Sequence, residues 1–205
     1  MKKSFLLLLL LPAIAAMAVP GLILLHVENY KLDPEASKVQ WFAEKVTGKH
    51  NGTVKISSGS ITNDHGKIAG TVIMDMTTIT NVDQEGKSKE KLEGHLKSED
   101  FFSVTKFPTS TFEITSVTPK PGGAADEPNF EVSGNLTIKG ITNPISFPAF
   151  IKFEGPKMMA AADMKIDRTK YDIRYGSKSF FKDIGDKAIR DEFILKMDIV
   201  AVAGK

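Results

Sequence analysis

The chain has 205 residues, 41% of them hydrophobic and 25% charged, the balance of an ordinary globular domain and not of a disordered or collagen-like one. It has no cysteine, which excludes disulfide scaffolds, thiolate metal sites, cysteine nucleophiles and a lipid-modified lipoprotein terminus. Lysine and arginine number 27 against 25 acids; with Lys2 and Lys3 set aside as part of a leader the counts are level, so the basic footprint of a nucleic-acid binder is missing.

Residues 1–25 read as an export segment. Lys2 and Lys3 precede an apolar run from Phe5 to Leu11, and Ala16-Met17-Ala18 supplies the small-residue pattern of a cleavage site. The apolar character continues through Leu25, long enough for an uncleaved anchor that associates with the membrane. Pro12 and Pro20-Gly21 interrupt a continuous helix and favour cleavage. Under both readings the leading lysines place the remaining domain, residues 28–205, outside the cytoplasm. It is then periplasmic or secreted, or anchored to the membrane and facing outward.

From Tyr30 onward the pattern is alternation with period two, the signature of half-buried strands. Residues 38–44, 53–61 and 67–76 are the first candidates. Residues 87–98, KSKEKLEGHLKS, interrupt them with helix formers, and Leu92 and Leu96 share one helical face. Strand character returns at 110–117. Val132, Gly134, Leu136 and Ile138 then form one apolar file, and Ile145, Phe147, Ala149, Ile151 and Phe153 form another. Met158, Ala160, Ala162, Met164 and Ile166 make a third. A short helix is predicted near Ser179 to Ile184, before a last file of Phe193, Leu195, Met197, Ile199 and Ala201. Turns are expected at Asn51-Gly52, Asp64-His65-Gly66, residues 119–128, Asn143-Pro144 and Gly155-Pro156.

About eight strands joined by short turns predict an all-β, antiparallel fold, either a sandwich or a closed barrel with one or two short helices. A barrel of that size holds side chains or one small ligand. Small inward residues (Gly70, Gly134, Ala149, Ala160, Ala162) mixed with Met74, Met76, Met158, Met164 and Met197 suit an adaptable apolar cavity. The same small residues also suit the taper of a filled barrel.

Four stretches in order resemble YceI-like proteins. They are Trp41 through Thr53 (WFAEKVTGKHNGT), His95 through Phe102 (HLKSEDFF) with Phe107-Pro108 and Thr111-Phe112, Gly134 through Gly140 (GNLTIKG), and Ile166 through Tyr171 (IDRTKY) with Arg174 through Ser177. The resemblance runs from about Tyr30 to Ala203. It implies a lipocalin-like eight-stranded barrel holding a long isoprenoid chain, outside the cytoplasm, without catalysis.

The candidate ligand-binding residues are therefore the inward files: Val72 and Met74; Phe112 and Ile114; Val132, Leu136 and Ile138; Phe147 and Ile151; Met164; and Phe193, Leu195 and Met197. Each is equally a candidate for plain core packing. Arg168, between an apolar strand and Tyr171, is placed to meet a polar headgroup at the barrel mouth. The other reading pairs it with Asp163, Asp167 or Asp172. Trp41 caps a barrel end or lines the cavity, and Phe101-Phe102 and Phe180-Phe181 read as plugs between helices and barrel.

Neither a cofactor nor a metal is expected. His50, His65 and His95 lack metal-ligand spacing, and G-x-S-x-G, H-E-x-x-H, Walker and G-x-G-x-x-G motifs are missing. A barrel-scaffold hydrolase or isomerase would draw on Arg168, His50 or His95 with a nearby carboxylate. A stress-related module with a filled barrel would show no continuous cavity.

Overall fold

The computed structural model describes residues 27–121 and 127–204; the export segment, and part of the 119–128 turn, lie outside the described residues. Nine antiparallel strands form a single sheet: β1 (Val27–Leu32), β2 (Lys38–Lys45), β3 (Gly48–Asp64), β4 (Lys67–Asn81), β5 (Thr109–Pro119), β6 (Phe130–Ile138), β7 (Ile141–Glu154), β8 (Lys157–Asp167) and β9 (Ile189–Ala203). One helix, α1 (Gly86–Lys97), lies between β4 and β5.

The sheet closes on itself. Strands β2 through β9 pair in sequence order, and β2 pairs with β9 to complete the ring. Nine strands make eight staves because β1 and β2 lie end to end. β1 pairs with the far ends of β3 and β9, from Val27↔Asp64 to Leu32↔Ala201. β2 takes the near ends, from Gln40↔Thr53 to Lys45↔Ile189. The intervening residues 33–37 keep contact with β9, with the Asp33 N–H donating to the Val200 carbonyl at 2.9 Å. Closure leaves no full-length edge to recruit another chain.

Two of the predicted turns are strand. Asn51 and Gly52 lie inside β3, and the β2–β3 turn falls at Val46 and Thr47. Asn143 and Pro144 lie inside β7, opposite Leu136 and Asn135. The reversal there is Lys139-Gly140, both at positive φ (51° and 72°), the geometry a two-residue hairpin requires to match strand twist. The helix predicted at 179–184 is likewise a run of turns; two short 3-10 turns flank it, at Arg168–Tyr171 and Gly185–Lys187.

Strand direction sorts the connections by end. The β2–β3 turn, the α1 segment (82–108), the Lys139-Gly140 turn and the 168–188 connection share one end of the barrel. The other end carries the turns at 65–66 and 155–156 and the 120–129 connection. Helix α1 buries Leu96, with Leu92 half-buried beside it, and the following segment buries Phe101 and Val104 against the barrel.

Bulges bend the long strands, as closure demands. They interrupt the β3–β4 register at 53–55 and 56–58 and the β5–β6 register at 114–116. Each shifts which residues point inward, from Ile56 to Ile61 on β3, from Met76 to Ile79 on β4, and from Ile114 to Val117 on β5.

Candidate ligand-binding cavity

The barrel interior holds a cavity of about 180 Å³ lined from all eight staves. Its wall is almost entirely carbon. All the candidates named from the sequence line it: Val72 and Met74 on β4, Phe112 and Ile114 on β5, Val132, Leu136 and Ile138 on β6, Phe147 and Ile151 on β7, Met164 on β8, Phe193, Leu195 and Met197 on β9, and Arg168 at the end of β8. Phe112, Val132, Leu136, Ile138, Phe147, Ile151 and Met164 are buried; Val72, Met74, Ile114, Phe193, Leu195 and Met197 are partly exposed although they face inward. Alanines 160 and 162 share that partial exposure. The unfilled space therefore sits beside β4, β8 and β9.

The small inward residues divide into two kinds. Ala149, Ala160 and Ala162 border the cavity. Gly134 does not make room, since a Cβ there would stand 2.5 Å from the Phe112 ring, which lies over it, and 2.4 Å from the Glu113 carbonyl. Phe112 in turn meets Phe147 at 5.6 Å. Gly70 is closed too, by the Ser60 carbonyl at 2.4 Å.

Several lining residues are invisible to period two. Ile61, Ile79 and Val117 come inward only because of the bulges. Leu96, Phe101 and Phe102 close the α1 end. Phe101-Phe102 thus does plug the barrel, whereas Phe180 and Phe181 do not: both rings are exposed. Trp41 both lines the cavity and tethers β2 to β4, its Nε1–H donating to the Thr80 carbonyl at 3.1 Å.

Arg168 is committed to the protein. It is 4% exposed and donates Nε–H to the Arg190 carbonyl (3.0 Å), Nη1–H to the carbonyls of Ile173 and Tyr175 (2.9 and 2.8 Å), and Nη2–H to the Ile189 carbonyl and Asp191 (3.1 and 3.3 Å). These use all five guanidinium N–H groups, so no donor remains for a headgroup. Its carboxylate partner is Asp191, not Asp163, Asp167 or Asp172 as the sequence suggested. Burial pushes the guanidinium below its ordinary value, opposed by Asp191 and Asp167.

The remaining polar groups sit on the rim and hold α1. Asn81, fully buried, donates Nδ2–H to the Asn51 carbonyl at 2.9 Å and to Asp83, and its backbone N–H donates to Glu93 at 2.8 Å. His50 pairs with Asp83 at 2.8 Å. Burial pushes the Asp83 carboxyl up, but hydrogen bonds from Asn51, His50 and Asn81 outweigh it and hold it below the usual carboxylate range. The Thr80 hydroxyl and the Asn81 N–H hold Glu93 low. His95 pairs with Asp100 at 3.2 Å and stacks edge-on against Phe101 and Tyr175. Among the described residues no three of His, Asp and Glu converge as metal ligands.

Comparison with known proteins identifies the architecture. Residues 30–201 match the YceI-like domain. The chain belongs to the YceI-like family. It is 32% identical over 104 residues to Protein YceI of Shigella flexneri and 31% identical over 104 residues to a UPF0312 protein of Azotobacter vinelandii. In both, the aligned stretch covers 51% of this chain and 50% of the relative, so the chain spans about half the length of the relatives it matches. The fold is shared with Burkholderia cenocepacia BcnA, at a TM-score of 0.66 and 20% identity over 83% of this chain and 99% of that one. A polyisoprenoid binding domain from Saccharophagus degradans, implicated in plant cell wall breakdown, superposes at a TM-score of 0.58 and 15% identity, covering 85% and 98%. This YceI-like chain thus shares its barrel with solved structures at 15–20% identity.

Proposed function

We propose that this YceI-like chain is a non-catalytic, extracytoplasmic binding protein that holds part of an isoprenoid lipid, of polyprenyl or quinone type, inside the barrel. The observation that carries the proposal is the cavity itself, an apolar void ringed by every stave. Its few polar side chains have partners of their own, Ser110 on the Thr137 carbonyl and Arg168 as described. A ligand taken up there is recognised by its hydrocarbon. The Saccharophagus domain, named for polyisoprenoid binding, supports the same class, and the apolar leader at 1–25 supports export.

Burial of a prenyl chain is worth about 0.8 kcal/mol per carbon, or roughly 4 kcal/mol per isoprene unit before costs. Ordering the tail and removing it from the membrane offset much of that gain. Size sets a further limit, because about 180 Å³ is little more than the roughly 150 Å³ cavity that holds a benzene ring. A longer chain has to displace side chains. Met74, Met76, Met158, Met164 and Met197 all line the space, and their unbranched side chains change rotamer at little cost. The pocket then selects the prenyl class and tolerates different lengths.

The test is solvent extraction and mass spectrometry of protein purified natively from an exporting host, repeated after incubation with quinones and polyprenyl phosphates. A stoichiometric prenyl lipid is expected. A clean extract under both conditions refutes the carrier reading and leaves an interaction module whose cavity stays empty.

A further inference from the structure

We propose that residues 86–107, helix α1 with the Phe101-Phe102 plug behind it, form a hinged lid over the cavity, latched by Glu93, and that ligand enters and leaves beneath it. The inference rests on the carrier reading for its purpose but not for its geometry.

The void has few ways out. The staves form a closed hydrogen-bonded ring, and parting two of them breaks several ladder bonds at once. The void lies beside β4, β8 and β9, and at the end opposite α1 the inward residues Tyr30, Leu32, Met158 and Ala201 are buried beneath it. Passage is thereby directed toward the α1 end. Two segments roof the cavity there. Residues 86–107 supply Leu96, Phe101 and Phe102, and the 168–188 connection supplies Arg168 and Ile173. The second segment is fixed, because Arg168 holds both its roots through the carbonyls of Ile173 and Tyr175 on one side and of Ile189 and Arg190 on the other.

The first segment is fastened differently. Its backbone hydrogen bonds turn back on itself: Phe102 N–H donates to the Leu96 carbonyl (3.1 Å), Ser103 N–H to Ser98 (2.8 Å), Val104 N–H to Lys97 (2.9 Å) and Phe107 N–H to Ser103 (2.9 Å). His95 on the helix pairs with Asp100 in the plug. Helix and plug are thus wired as one body. Among the described residues, the hydrogen bonds that join this body to the barrel converge on one side chain. Glu93 accepts from the Thr80 hydroxyl and, at 2.8 Å, from the Asn81 N–H. The rest of the hold is apolar and aromatic. Leu96 and Phe101 are buried, His95 and Phe101 lean on Tyr175, and the half-buried Phe102 meets Phe193 of β9 edge-on at 6.5 Å. Phe193 faces inward yet keeps part of its surface free, so that last contact covers unfilled space.

The helix also has a pivot. Gly86 begins it at φ 51°, a conformation glycine adopts freely, and a Cβ there would meet nothing within 4 Å. Glu85 before it makes no side-chain cap, so the first turn is not tied to the chain that precedes it. At the far side the Met76 N–H donates to the Pro108 carbonyl at 2.9 Å and pins the chain where β5 begins. A segment with one polar latch and a glycine hinge opens locally at less cost than any stave.

The chain has no cysteine, so Ala162→Cys places a single thiol in the cavity wall. Full-length, lipid-stripped protein is treated with methyl methanethiosulfonate, a small neutral thiol reagent, and labelling is followed by mass spectrometry. The proposal expects labelling far slower than at an exposed Glu154→Cys thiol, at a rate set by how often the lid opens. Adding Glu93→Ala should raise that rate about ten- to a hundredfold, the worth of hydrogen bonds to a charged group. Glu93→Gln keeps the shape and an acceptor oxygen, should fall between, and carries the test if the alanine variant fails to fold. Gly134→Ala strains the wall between β5 and β6 without touching the lid and should leave the rate little changed. A cavity thiol that labels as fast as the exposed one, ignores both Glu93 variants, or responds as strongly to Gly134→Ala overturns the lid. Trp41, the only tryptophan, lines the cavity and reports entry of a short-chain prenyl quinone by quenching. A quinone that never quenches, with thiol rates as expected, refutes the carrier reading alone. Quenching at a rate indifferent to Glu93 refutes this inference alone.

Discussion

Ala162→Leu tests whether the cavity is where ligand resides. Ala162 sits on β8 between Ala149 and Met197 in register, and borders the void. A cavity costs about 24 cal/mol per Å³, so about 180 Å³ stands for roughly 4 kcal/mol of forgone packing. Leucine adds three carbons, worth about 2.4 kcal/mol if all are buried at 0.8 each. Imperfect fit returns part of this, since overpacking costs about 1–3 kcal/mol where space is short. The expected net gain is at most about 1.4 kcal/mol for ligand-stripped protein, a rise in Tm of up to roughly 6 °C for a domain of this size. Stripping matters because bound lipid raises Tm by itself. Calorimetry of stripped protein and mass spectrometry of unstripped protein form the assay. A higher Tm with lipid content at or near zero is expected. Full lipid content alongside the higher Tm would show that ligand sits elsewhere; a fall in Tm of several degrees would show that the void is not free space.

Arg168→Met should cost about 3–5 kcal/mol, because it leaves four backbone carbonyls and Asp191 without their donor. The lysine variant should fall between, lacking the fork but keeping the charge. Lipid content per folded molecule should not change with Arg168→Lys, and a selective loss would restore a headgroup role. Gly134→Ala drives a Cβ into the Glu113 carbonyl and the Phe112 ring and should cost about 1–3 kcal/mol by urea unfolding. Gly94→Ala, in open space within α1, should instead stabilise by about 0.5–1 kcal/mol. Asp83 and Glu93 are both held below their ordinary values by hydrogen bonds, so their contribution is complete above the unfolded values of about 4 and is lost as pH falls through the lowered ones. Amide exchange in α1 should accelerate over that acid range ahead of exchange in β6 to β8. Uniform acceleration would show that the helix is not anchored through these carboxylates.

The sequence was legible where strands run without bulges. From β6 to β8, and in β9 from Phe193 onward, the alternating files hold, and their inward members lie in the core or at the cavity except Phe153, which is exposed near the end of β7. Across β3 to β5 the bulges shift parity, so a pattern read forward from Ile56 or Met76 puts Ile61 and Ile79 on the wrong face. β1 escaped because six residues give only Tyr30 and Leu32 as inward positions, too few to establish a period. Asn143-Pro144 mimicked a turn because proline is tolerated wherever a strand's N–H is not needed, while the real reversal set Lys139, a residue with no turn signature, at positive φ ahead of Gly140.

For the site, the limit is of a different kind. Which residues face inward is a local property, carried by alternation; how much space they leave is a difference between the volume enclosed and the volume filled. Gly134 and Ala162 look alike in the pattern, as small residues in apolar files, yet a ring from β5 covers the first while the second opens on the void. Arg168 follows the same logic. An arginine after an apolar strand is equally suited to a headgroup or a staple, and what decides is the convergence of carbonyls from 173, 175, 189 and 190 around it. Those carbonyls come from every sequence alike and acquire their role only when the 168–188 connection folds back on β9. Function in this barrel therefore divides along the same line: alternation specifies an apolar interior, and tertiary convergence shapes both the void within it and the roof at its end.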